Sequence, residues 1–205
     1  ARWLTPVIPN QWQKVYRQTD LDFLELLNAV RDNRADDRTL QQLNARYLPD
    51  FKASGATYVR LVTHNHQADH INAQEMAQLA ATEKDFRATV EGTFPEGSYP
   101  AAEVLTLKRG AQVMFIKNDS SGEHRYYNGM LGEITDISDN SVTVCPHDST
   151  DEIEVGVESW QNSRFTLNEK TNEIEEVVDG TFKQIPLRLA WAITVHKSQG
   201  LTFER

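Results

Sequence analysis

Two short stretches of the chain carry residue types suited to holding phosphate oxygens. The first is Thr63 to Asn65, where an apolar run, Tyr58–Thr63 (YVRLVT), ends and a helical pattern begins. A helix start leaves backbone N–H groups free, and these suit an anion such as a phosphate. The same residues suit plain helix capping, Asn65 above all. The second stretch is Thr194, His196, Lys197, Ser198 and Gln199, ending at Gly200. Hydroxyls and an ammonium are reasonable phosphate ligands, and glycine lets the main chain come close. The bland readings are a solvated Lys197 and a packed, hydrogen-bonded His196. Arg17, taken alone, reads as a surface arginine paired with Asp20 or Asp22.

The elements that must position these groups can be traced by period. A strand is expected within 7–16. Thr19 or Asp20 can cap a helix running to about Asn33, with Leu21, Phe23, Leu24, Leu27 and Val30 as its apolar stripe. A second helix starts near Asp36-Asp37, with Leu40 and Leu43 inward. Tyr58–Thr63 reads as a buried strand, and Asn65–Leu79 as a helix with Ala68, Ile71, Met76 and Leu79 near one face. From about residue 103 short β-rich runs alternate with turns. Strands are expected at Gln112–Lys117, Leu131–Ile137, Ser141–Cys145 and Ile153–Val157. Asn128-Gly129 marks a turn, and Asp179-Gly180 is expected to close a hairpin between Ile174–Val178 and Thr181–Ile185. Five or six short strands in about eighty residues fit an SH3-like or OB-like barrel.

Charge divides the chain in the same place. Of 205 residues, 30 are acidic and 21 basic, a net charge of −9. Residues 103–185 hold 16 acids and 7 bases, whereas the rest is balanced, and 148–179 alone holds ten acids against Arg164 and Lys170. An acidic chain is a poor generic binder of nucleic acid, and that segment would repel it most strongly. No apolar run reaches membrane-spanning length, and no secretory leader is visible. A single cysteine, Cys145, forms no internal disulfide, so a cytoplasmic setting is expected. The chain begins at Ala1 without Met and stops at Glu204-Arg205 after a segment with no cap. It is therefore expected to be a piece of a larger protein.

AWAITVHKSQGLTF (190–203) resembles the fifth motif of the RecD/Pif-type branch of superfamily 1 DNA helicases. KVYRQTDLDFLELLNAVR (14–31) resembles that family's fourth motif and the helix after it. LVTHNHQADHIN (61–72) resembles the strand-to-helix segment that touches single-stranded DNA, and LKRGAQVMFIKND with YYNGMLGEI (107–134) resembles the start of its SH3-like insert. The four occur in the family's order. The resemblance implies an α/β fold, a RecA-like parallel-sheet domain interrupted by a small SH3-like all-β barrel. Residues 1–102 plus 186–205 would form the second RecA-like domain, and 103–185 the insert.

The resemblance also implies roles. Arg17 would be an arginine finger aimed at the γ-phosphate of ATP held by the first RecA-like domain of the same parent chain. A guanidinium suits that task because it stays charged and grips two oxygens. Gln18, Gly200 and Thr202 would lie near the nucleotide, although Thr202 stands where some relatives have a carboxylate. Thr63, Asn65, Thr194, His196, Lys197, Ser198 and Gln199 would grip single-stranded DNA. No GxxxxGK[ST] loop occurs, so ATP and Mg²⁺ would be cradled by the parent's other domain and this stretch alone would not hydrolyse ATP.

Two rival readings belong to other classes. THNHQADH (63–70) resembles the HxHxDH zinc motif of metallo-β-lactamase-type hydrolases, but one extra residue separates His66 from Asp69. On a helix that insertion turns Asp69 and His70 by about 100° away from the histidines. No metal site is therefore expected. The second rival is an acidic, SH3-like protein-binding module on an α/β scaffold, with a basic partner. Among the aromatic residues, Trp12, Trp160, Tyr126 and Tyr127 could stack on bases, and Trp191 reads as core.

Overall fold

The computed structural model describes residues 20–50, 58–168, 173–199 and 201. The strand expected in 7–16, and Trp12, lie outside them. Two compact units divide near residue 54. The first contributes helix α1 (Leu21–Arg31) and helix α2 (Asp37–Asn44). Both start as the sequence predicts. The Asp20 carboxylate accepts from the Phe23 N–H at 3.0 Å, and Asp36 accepts from the Thr39 N–H at 2.8 Å and its hydroxyl at 2.7 Å. The apolar stripe of α1 buries no residue among those described, and in α2 the buried side is Thr39 while Leu40 is half exposed. The expectation of an inward Leu40 is corrected. Asp36 draws the Thr39 hydroxyl onto the cap, and Leu40, one residue on, is turned about 100° away.

The second unit begins with strand β1 (Arg60–Val62), followed by helix α3 (Asn65–Gln78). After β2 (Lys84–Arg87), β3 (Thr89–Gly92) and β4 (Val104–Leu107) come β5 (Gln112–Phe115), β6 (Leu131–Ile137), β7 (Val142–Pro146) and β8 (Ile153–Val155). Two long strands, β9 (Glu158–Asn168) and β10 (Glu173–Gln184), precede β11 (Leu187–Leu189), β12 (Ala192–Thr194) and the single-turn helix α4 (Val195–Ser198).

β1 and β12 pair in parallel although some 130 residues lie between them, with Val62 opposite Thr194. β1 is not the buried strand its apolar composition suggests. Leu61 is half exposed, because β1 has β12 as its one strand partner among the described residues. Three side chains dock α3 to this pair and the neighbouring sheet. Buried Asn72 donates to the Ala192 carbonyl at 3.0 Å and accepts from the Ala192 N–H at 2.9 Å. Glu75 pairs with Arg60 at 3.2 Å. Buried Lys108 donates to the carbonyls of Met76 and Leu79, both at 3.1 Å, placing a positive charge where the helix dipole is negative.

The largest sheet is antiparallel in the order β11-β5-β6-β7-β8. Its core includes the fully buried Phe115, Leu107, Ile134, Val142, Val144, Ile185 and Leu187. Burying one such side chain contributes about 2–3 kcal/mol before entropy is charged. The expected strands at Leu131–Ile137 and Ser141–Cys145 are present as β6 and β7, paired antiparallel. The Asn128-Gly129 turn is present too, with Gly129 at φ +97° and the Leu201 side chain against it, so any side chain there would be strained and would clash. Gln112 ties the sheet to both flanking segments through the carbonyls of Tyr58 (3.2 Å) and Ala190 (2.9 Å).

The acidic segment is where the sequence reading needs correction. Asp179-Gly180 does not turn. Residues 173–184 run as one strand, paired with β9 on one side and β3 on the other, with an irregularity between Val178 and Gly180. The Thr93 backbone crosses there. Its N–H donates to the Asp179 carbonyl at 2.8 Å, and a Cβ at Gly180 would meet Thr93 atoms at 2.5–2.7 Å. Glycine therefore serves close approach and a bulge. β9, polar and largely exposed, gave no strand signal. Strand pairing also crosses both expected insert boundaries: β2 pairs with β4, β3 with β10, and β11 with β5.

Candidate nucleic-acid interface

The parallel pairing decides how the two phosphate-suited stretches meet. β1 and β12 lie side by side and run the same way, so the turns after Val62 and after Thr194 leave the same edge, each leading into a helix. Ligands of α/β sheets collect outside the carboxyl ends of the strands, where helix starts and loops converge.

Thr63 is exposed, and its hydroxyl lies 2.8 Å from the His64 ring nitrogen Nδ1 and 3.3 Å from the Gln67 amide oxygen. Asn65 is exposed and is the first helical residue. The capping alternative for Asn65 is corrected, since His64 occupies the cap position and makes no side-chain capping bond. The α3 start is thus without a side-chain cap. Thr194 is 5% exposed, being both a strand residue and the residue that starts α4. His196, Lys197 and Gln199 are exposed, and the Ser198 hydroxyl donates to the Val195 carbonyl at 2.8 Å. Arg17, Gln18, Gly200 and Thr202 lie outside the described residues.

A cleft of about 510 Å³ opens beside these turns, between the first half of α3 and segment 99–106. Asn65 and Lys197 both line it, so the structure brings together one residue from each predicted stretch. Asp69, Asn72, Tyr99, Thr106 and Arg188 complete its polar lining. Burial, and then the nearby Arg188 charge, push the Lys197 ammonium below its usual pKa, with Asp69 opposing. Burial likewise pushes the Arg188 guanidinium down, again opposed by Asp69. Two cations against one carboxylate leave the lining formally positive.

Other candidate residues sit elsewhere. The His64 and His66 rings are 5.5 Å apart, and among the described residues no three His, Cys, Asp or Glu side chains gather as a metal would require. Tyr126 is 3% exposed and stacks on Phe115 at 4.5 Å, so it is a core residue and not a base platform; Tyr127 is half exposed. Trp160 lies edge-on to Phe182 at 6.1 Å with the Lys117 ammonium 5.2 Å from its ring centre. Trp191 packs against the main core. Sequence reasoning missed Arg188 and Asn72. An arginine between leucines in an apolar run was the one signal available for the first, and a helical asparagine carried none for the second. Among the described residues no helix is long and apolar enough to cross a membrane.

The arrangement defines a mixed α/β chain whose parallel strand ends carry a cationic, phosphate-suited cleft beside a β-rich region. No family model matches the chain. It is 32% identical over 92% of its length to the ATP-dependent DNA helicase Pif1 of Bdellovibrio bacteriovorus, and 30% identical over 93% to human PIF1. It spans 41% and 29% of those relatives. Among solved structures it is similar to Bacteroides sp Pif1 in complex with ADP-AlF4, with TM-score 0.82 and 36% identity, covering 94% of this chain and 43% of that one. The same holds for Bacteroides Pif1 bound to ssDNA, with TM-score 0.65, 36% identity and the same shares covered. The homologues of this chain are Pif1 helicases, within the RecD/Pif-type branch that its motifs resemble.

Proposed function

We propose that the chain is the second RecA-like domain, with its SH3-like insert, of an ATP-dependent superfamily 1 DNA helicase. In this reading β1, α3, β12 and α4 belong to the RecA-like part. The β-rich insert centres on 103–185 and recruits β2, β3 and β11 at its seams. Single-stranded DNA lies across the turns 63–65 and 194–199, and Arg17 reaches ATP held by the first RecA-like domain of the same protein. The observation that carries the proposal is the parallel β1–β12 register, which sets those two turns side by side. Two of the relatives' solved structures are named for ADP-AlF4 and for ssDNA, in keeping with the two proposed ligands.

The donor set fits a supporting role at the nucleotide. Arg17 and Gln18 offer hydrogen-bond donors, and the Gly200 backbone allows close approach. No Walker-type loop is in the sequence, so Mg²⁺ and the phosphate cradle are assigned to the partner domain. Movement of the two turns relative to that domain would step the strand. A cytoplasmic location goes with this reading, since Cys145 is free.

Replacing Lys197 with alanine in the full-length helicase tests the grip. The expected result is weaker single-strand binding, with the slope of log affinity against log salt reduced by about 0.7, one phosphate contact. An unchanged slope removes Lys197 from the DNA path.

A second reading, a docking surface for a basic protein, is favoured by the β9–β10 ribbon. Leu167 and Ile174 face each other across its strands, 55% and 74% exposed, with Phe165 and Val178 on the same face and acids around them. Charge reversal at Glu173 and Glu176 separates the readings. Loss of a protein partner with unwinding intact supports docking, whereas impaired unwinding with every partner retained removes it.

A further inference from the structure

Arg188 is a cation with incomplete pairing. It sits on β11 opposite Met114, between the buried Leu187 and half-buried Leu189. One guanidinium nitrogen, Nη2, donates to the Pro100 carbonyl at 3.2 Å, but the buried Nε has no partner. Among the described residues Arg188 forms no salt bridge, although Asp69 is near enough to influence it. Burying a guanidinium is unfavourable unless its donors are satisfied, and buried polar groups are rarely left unpaired. A structural strut to Pro100 needs neither the charge nor the fork. Both are suited to a phosphate, whose oxygens a guanidinium grips in pairs.

The surroundings say which phosphate. Arg188 lines the same cleft as Asn65 and Lys197, the residues that follow β1 and β12. The cleft is lined by the first half of α3 on one side and by residues of 99–106 on the other. We propose that Arg188 holds a backbone phosphate of the bound single strand, one contact beyond the turn held by Lys197, with Asp69 tempering the positive charge so that the strand can be released. This rests on the reading of the two turns as a DNA grip.

The test uses the full-length helicase and a fluorescent oligo(dT), with anisotropy read across a salt series. Arg188→Gln is expected to weaken binding about tenfold and to reduce the salt slope by about 0.7. Arg188→Lys keeps the charge and is expected to keep the slope. Asp69→Asn removes the opposing carboxylate and is expected to tighten binding about fivefold at low salt. If Arg188→Gln lowers Tm but leaves slope and affinity unchanged, Arg188 is a strut and the proposal is overturned. The grip still stands in that case if Lys197→Ala shifts the slope, and it fails as well if neither does. Should Arg188→Gln not fold, the other two variants decide. A slope lost in Arg188→Lys, or no tightening in Asp69→Asn, overturns the proposal.

Discussion

Alanine at Arg17 is expected to cut DNA-stimulated ATP turnover by the full-length helicase about 10³-fold or more, while leaving single-strand affinity near normal. The argument is electrostatic. Charge shifts onto the transferring phosphoryl group and its leaving oxygen as the bond to γ-phosphate loosens, and a fixed guanidinium at that point stabilises the transition state more than the ground state. Arg17 lies three residues before Asp20, whose carboxylate caps α1, so the arginine precedes a firmly started helix. Lysine at the same place keeps a point charge but loses the fork, and should recover little of the turnover. Steady-state ATPase and oligo(dT) binding, measured on the same preparations, check the split. Near-normal turnover in Arg17→Ala would remove the finger assignment.

The next largest effect is expected at Asp119, in the loop joining β5 to β6. Its side chain is 1% exposed and collects four hydrogen bonds, from the Ser121 and Arg125 N–H groups at 3.1 and 3.0 Å and from the Arg125 guanidinium at 3.0 and 3.3 Å. That loop also seats Tyr126 on Phe115 and turns at Gly129. Asp119→Ala removes the acceptor shared by two backbone N–H groups and the Arg125 guanidinium, which keeps only Glu123 at 3.3 Å, so a loss of roughly 2 kcal/mol is expected, read as a lower urea midpoint at unchanged m-value. The Arg125 hydrogen bonds first, and then the backbone N–H groups, hold the carboxyl well below the usual range against the effect of burial. A carboxylate whose folded pKa is depressed contributes stability that is complete above its unfolded pKa of about 4 and fades as pH falls further. Wild-type stability should therefore drop on acidification below about pH 4, and the alanine variant should show a flatter curve there. Equal slopes would mean that Asp119 is not the group responsible.

Glu158 shows the same competition in a milder form at the base of the ribbon. Burial pushes its carboxyl up, yet the Lys117 ammonium at 2.8 Å and the Ser120 hydroxyl at 2.7 Å prevail and hold it below the ordinary value. Tyr126 donates to the same carboxylate at 3.2 Å. The loop that resembles the start of the insert is thus fixed by buried charge as well as by apolar packing.

What could be read from the chain alone was whatever depends on near neighbours. Asp20 and Asp36 announce helix starts because a short carboxylate reaches N–H groups three residues on, and Asn128-Gly129 announces a turn because glycine tolerates positive φ. Thr63, Asn65, Thr194 and Lys197 stand out in the same way, as types and spacings suited to phosphate. Asp179-Gly180 offered the same local signal and misled, because its outcome depended on Thr93, some 86 residues earlier, crossing the strand. The ribbon strand β9 was illegible because an exposed strand needs no alternating apolar face. Long-range pairing alone set Thr194 beside Val62, took Asn72 to the backbone of Ala192, buried Tyr126, and left the Arg188 Nε unpaired at the edge of a cleft. Local sequence fixes which contacts a residue can make, whereas loop closure over a hundred residues and burial choose which of them it does make.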